Sequence, residues 1–190
     1  MLYFIFFCLV LLLLAVPLGC YIASVFSGQQ PLFMRWLRPL ELAVYRLCGI
    51  DEREEMTWKQ YAWSFCIFTL LGIAFLFILE IIQGKLPFNP QHLGAVRWDT
   101  ALNTAISFAT NTNWQSYGGE TTMAYFTQML GLTTQNFVSA AAGIAPCIAL
   151  LRSFMRKSCS TIGNFWVDVT RSILYILLPL SIVCSIILVS

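Results

Sequence analysis

Four stretches of the chain, residues 1–26, 61–79, 121–151 and 172–190, are apolar and free of charge. Each approaches or exceeds the roughly 20 helical residues that cross a hydrocarbon core, so the pattern predicts four transmembrane helices. Between the second and third, Pro87 and Pro90 interrupt the chain, and residues 98–109 then carry an amphipathic helical pattern. At 1.5 Å per residue that helix is about 18 Å long, half a membrane. The run that follows, TNTNWQSYGGE at 110–120, is polar and ends in glycines. Backbone at membrane depth must be helical or must line a protein-enclosed or watery cavity, because an amide or carbonyl left facing lipid costs on the order of several kcal/mol. Two readings of the run follow: an extended filter strand whose carbonyls replace the hydration shell of a cation, or a turn rich in Asn, Ser and Gly.

Composition settles the class. Hydrophobic residues make up 58% and charged residues 11% of the 190, against roughly 25% charged in soluble domains, and the expected fold is an all-α integral membrane protein. A net charge of +2 gives nucleic acid nothing to bind. Of the 11 basic residues, nine lie in two loops, Arg35, Arg38, Arg46, Arg53 and Lys59 in one and Arg152, Arg156, Lys157 and Arg171 in the other. Only Lys85 and Arg97 lie between the second and third spans. The positive-inside rule puts the nine in the cytoplasm, and the N-terminus and the 110–120 run outside. No basic residue precedes the first apolar stretch, so it reads as a span rather than a cleaved signal. His92 is the only histidine and the seven cysteines form no CxxC pair, which leaves neither a catalytic constellation nor a transition-metal site.

A half-length helix entering from outside aims the partial negative charge of its C-terminal carbonyls at residue 110, which favours a cation. The same helix also fits a re-entrant element without an ion. In the filter reading, Thr110, Asn111, Thr112 and Asn113 supply four successive carbonyls, and Asn tolerates left-handed backbone. Trp114 and Tyr117 would pack behind the strand, Gln115 and Ser116 would tie it to the outer mouth, and Gly118 and Gly119 would let the chain turn back. Glu120 would either lower the potential of an outer vestibule or favour the start of the third span. Gln128, Gln135 and Asn136 in that span are expected to face other helices. Glu80 is expected to reach the outer interface, with ion contact as the alternative, and the mixed run 51–55 to begin a solvated helix.

SFATNTNWQSYGGET at 107–121 resembles the first pore loop of the potassium-binding A subunit of the bacterial Kdp-type potassium-transporting ATPases. EEMTWKQY at 54–61, ALNTAISF at 101–108, GLTTQNFVSAAAGIA at 131–145 and STIGNFWVD at 160–168 extend the likeness over about residues 36–180. The resemblance implies an extra N-terminal helix followed by four helix-pore-helix repeats around one filter. It makes 1–26 the extra helix, 27–60 a cytoplasmic segment, 61–151 the first repeat with its filter at 110–119, 152–171 a cytoplasmic loop and 172–190 the first helix of the second repeat. It makes Thr110, Asn111, Thr112 and Asn113 ion-lining and Gln115 a neighbouring selectivity determinant. Potassium is then the transported ligand, with no cofactor, in the bacterial inner membrane. ATP hydrolysis falls to a separate P-type ATPase catalytic subunit, accompanied by small accessory membrane subunits. Three filter segments would be missing, and the uncharged end at 187–190 suggests truncation. A self-assembling single-repeat channel and a non-conducting membrane interaction protein are the alternatives.

Overall fold

The computed structural model describes residues 1–28, 32–156 and 160–190; Lys157 and Cys159 lie outside them. In chain order the elements are α1 (Leu2–Phe26), α2 (Leu32–Cys48), β1 (Met56–Thr57), α3 (Trp58–Ile82), α4 (Trp98–Ala109), α5 (Gly119–Thr122), α6 (Thr134–Met155), β2 (Thr161–Gly163), α7 (Phe165–Arg171) and α8 (Leu178–Val189). Wider π-helical turns lead into α6 at Thr127–Thr133 and into α8 at Ser172–Leu177. Among the described residues, Tyr3–Phe26, Trp58–Lys85, Thr127–Met155 and Phe165–Val189 are long and apolar enough to cross a membrane. The protein is a multi-pass all-α membrane protein, and α4 has the half-membrane length and the bounds that the sequence predicts.

Three boundaries differ from expectation. The run 51–55 starts no helix; it leads into β1, and α3 begins at Trp58 behind a capping box. There Gln60 N donates to Thr57 Oγ1 (3.4 Å), and Thr57 N donates to Gln60 Oε1 (2.8 Å). The third span starts at Thr127 rather than 121, because Met123 is extended. The fourth starts at Phe165, where Asn164 Oδ1 accepts from Trp166 N (3.1 Å) and Val167 N (3.4 Å) as a helix cap. Helix α2 lies in the 27–60 segment, where the sequence predicted only a helix beginning at 51–55.

The chain divides into two compact units, Met1–Asp51 with Thr170–Ser190, and Glu52–Val169. In the first unit, Glu41 is fully buried and gathers four donors. Arg38 Nη1 (2.7 Å), Tyr45 Oη (2.6 Å), Arg171 Nε (3.0 Å) and Tyr175 Oη (2.6 Å) all reach its carboxylate. Burial pushes this carboxyl up, but hydrogen bonds from Tyr175, Tyr45, Arg38 and Arg171 outweigh it and hold Glu41 below the usual carboxylate range.

In the second unit, α3, α4 and the start of the third span share a core of Leu76, Leu79, Val96, Ala101, Ala105, Phe108, Met123 and Leu132. Gly131 makes the approach possible: a Cβ there would lie 2.7 Å from Leu79 Cδ2 and 2.8 Å from Leu76 Cδ1. At the opposite end β1 pairs antiparallel with β2, Met56 opposite Gly163. Arg152 Nη1 and Nη2 donate to Asp168 (3.1 and 3.0 Å), and Arg152 Nη1 also donates to the Ile162 carbonyl (2.6 Å). Tyr61 Oη adds a bond to Asp168 (3.0 Å). Arg156 grips both oxygens of Glu55 at 2.9 Å, and Thr161 Oγ1 donates to the same carboxylate. The guanidinium of Arg156, then the Thr161 hydroxyl, pull Glu55 down to about 2.

Candidate filter segment

Helix α4 ends where its last carbonyls are recaptured by the chain that follows. Thr110 N donates to Ile106 O (2.9 Å), Asn111 N to Phe108 O (3.2 Å), and Thr112 N and Asn113 N both to Ser107 O (2.9 and 3.3 Å). The hydroxyl of Ser107, itself buried, accepts from Trp114 N (2.7 Å). Asn111 and Asn113 both have φ of 56°, in the left-handed region that Asn enters more readily than most residues. That alternation turns successive amides toward one point, as in a backbone nest.

Peptide planarity gives the other half of the geometry. In a trans peptide the carbonyl points opposite to the N–H it is bonded to, and the chain has no cis bond among the described residues. With the amides of 111, 112, 113 and 114 directed at the end of α4, the carbonyls of Thr110, Asn111, Thr112 and Asn113 point away from it. Among the described residues, no donor reaches those four oxygens. Thr110 Oγ1 donates to Ile106 O (2.8 Å) and lies 2.9 Å from Thr112 Oγ1. A row of carbonyls with one polarity, on a helix end of the same polarity, can replace water oxygens around a cation.

The other residues singled out in the sequence fall as follows. Gln115 and Ser116 are exposed, and Trp114 is 76% exposed. Tyr117 is partly buried against the core, and its hydroxyl has no hydrogen-bond partner among the described residues. Gly118 and Gly119 do not use positive φ; the chain turns back through the single turn of α5, with exposed Glu120 in its first turn. Gln128 Nε2 holds this turn through the carbonyls of Gly119 (3.2 Å) and Met123 (2.9 Å). Gln135 is buried, pressed against α3 where a Cβ on Gly72 would meet its Nε2 at 2.7 Å, whereas Asn136 is exposed.

Glu80 departs from expectation. It does not reach the interface: it is 0% exposed, and neither carboxylate oxygen has a hydrogen-bond partner among the described residues. It lies within electrostatic range of the Tyr117 phenol. Two residues that shape the segment, Ser107 and Gln83, were not singled out in the sequence. Each reads locally as an ordinary polar residue in a helix, and only the return of the chain gives it partners.

The profile of the family described as potassium-transporting ATPase A subunit matches residues 5–190. The potassium-transporting ATPase potassium-binding subunit of Chromobacterium violaceum is 57% identical over 181 residues, covering 95% of this chain and 30% of the relative. That of Clostridium botulinum is 51% identical over 182 residues (96% and 31%), and that of Brucella anthropi 54% over 184 (97% and 32%). The chain thus spans about a third of the length of these relatives. Matched along nearly all of its length, it belongs to the potassium-transporting ATPase A subunit family.

Proposed function

We propose that these residues form one side of the potassium filter in the ion-conducting subunit of an ATP-driven potassium uptake pump. The observation that carries this reading is the row of four outward carbonyls at Thr110, Asn111, Thr112 and Asn113, produced by amides committed to the end of α4. The remaining sides of the coordination cage come from sequence outside these 190 residues. Gln115 stands beside the ion path and, with Trp114, Ser116, Tyr117, Gly118 and Gly119, supports the filter, while Glu120 lies at the outer vestibule. A P-type ATPase catalytic subunit hydrolyses ATP, small accessory membrane subunits complete the complex, and potassium is cargo rather than cofactor. The assembly sits in the bacterial inner membrane, with the basic loops cytoplasmic and the filter outside.

The test is Gln115→Arg in the complete subunit within the assembled pump. A fixed positive charge in a low-dielectric pore repels cations. Uptake should then need more potassium for half-saturation and discriminate less against rubidium, at unchanged expression. Kinetics equal to the parent's would remove Gln115 from the ion path and overturn the filter reading of the adjacent 110–113.

A further inference from the structure

We propose that Gln83 is the positioning residue that sets the depth and register of the filter, an inference that rests on the filter reading of 110–113. Gln83 lies in the turn extending α3 and is 0% exposed. Its carboxamide uses its full capacity of two donors and two acceptor sites. Nε2 donates to the carbonyls of Gly94 (2.8 Å) and Thr122 (2.8 Å). Oε1 accepts from Ala124 N (3.1 Å) and Thr127 Oγ1 (3.1 Å). Carbonyls can only accept and a backbone amide can only donate, so these partners fix the orientation of the amide.

The identity of the partners gives the side chain its role. Gly94 precedes α4, whereas Thr122, Ala124 and Thr127 follow the filter, Thr122 at the end of α5 and Thr127 at the start of the third span. One carboxamide therefore holds both ends of the excursion that carries α4 and the carbonyl row. One turn earlier on the same helix, Val96 N donates to Glu80 O (3.2 Å), a backbone strap on the entering side only. On the leaving side the α5 turn rests on Gln83 and Gln128. A site must be held within about 0.5 Å of its productive geometry by the groups behind it, and Gln83 is the group that ties where the excursion starts to where it ends. It touches no ion; it acts through the backbone.

The experiment compares Gln83→Leu, Thr127→Val and Gln115→Arg in the complete subunit of the assembled pump. Potassium and rubidium uptake are measured against concentration, with the amount of assembled complex. Leu fills a similar volume without any of the four hydrogen bonds. Loss of supporting partners typically costs ion sites about tenfold or more in affinity, so Gln83→Leu should raise the half-saturating potassium by about that factor and bring rubidium closer to potassium. Thr127→Val, which removes one of the four bonds, should move both readouts the same way by less. A lower maximal rate at parental half-saturation and ion ranking would mean a merely structural Gln83 and would overturn the proposal. If Gln83→Leu does not assemble, Thr127→Val decides alone, and parental values there overturn it. Gln115→Arg separates the two claims: parental kinetics in that variant overturn the filter reading and this proposal with it, whereas a shift there with none at Gln83 or Thr127 overturns this proposal alone.

Discussion

Replacing Gly163 by alanine puts a methyl group where Arg152 already sits. The Cβ would lie 1.9 Å from Arg152 Nη1 and 2.7 Å from its Cζ, and the backbone there has φ of +109°. Holding an alanine in that region costs about 1–3 kcal/mol. The guanidinium has little freedom to swing aside, because it holds both Asp168 oxygens and the Ile162 carbonyl. Asp168 is 2% exposed, and breaking a buried pair of this kind outright costs about 3–5 kcal/mol. Partial relaxation reduces the second contribution, so Gly163→Ala should lose about 2–5 kcal/mol. Gly72→Ala is the control: its Cβ meets the tip of Gln135 at 2.7 Å, on a glycine without positive φ. Alanine gains roughly 1 kcal/mol of helix propensity there, so the net change should stay within about 1 kcal/mol. Denaturant titration of the purified chain in mixed micelles, followed by tryptophan fluorescence, reads both. Equal stability of the two variants would refute the reasoning, since only Gly163 combines backbone strain with a pinned neighbour.

Glu80→Leu should stabilise the chain by about 1–3 kcal/mol, because it removes a buried carboxyl without a partner from an apolar core; a lower unfolding midpoint in the same titration would contradict this. The Glu55 pair should make stability depend on acid: a carboxyl held at about 2 against an ordinary 4.5 contributes fully above 4.5 and loses its contribution as pH falls toward 2. Arg156→Gln should flatten that slope, by less than about 1 kcal/mol for so exposed a pair, and an unchanged profile would remove the pair from the account. In intact cells on a cysteine-free background, His92→Cys should react with an impermeant thiol reagent and Arg156→Cys should not; outside labelling of Arg156→Cys would invert the topology.

The elements that depend on local pattern were legible in the sequence. Pro87 and Pro90 free the chain to start again, and α4 then keeps its predicted bounds. Asn at 111 and 113 marks the two left-handed residues on which the carbonyl row depends. What was not legible depends on partners far along the chain. Asp168 and Arg171 looked like loop charges, and they sit in a helix because Arg152 and Glu41 meet them. The pairing of β1 with β2 joins residues more than 100 positions apart, beyond any periodicity. Glu80 looked like an interfacial carboxylate because hydropathy places it near a helix end, whereas the fold buries it fully.

Because Ser107 and the neighbouring carbonyls of α4 absorb the amides of 111–114, the segment hides its backbone donors and turns its backbone lone pairs outward. N–H groups are the one electropositive face that uncharged backbone possesses, and here that face is sealed. Chloride approaching the row would meet the negative ends of its backbone dipoles. In the proposed filter, the backbone therefore disfavours anions without help from an acidic side chain. Such dipoles neither titrate nor lose their charge, so exclusion of anions should persist across pH and after neutralisation of Glu120.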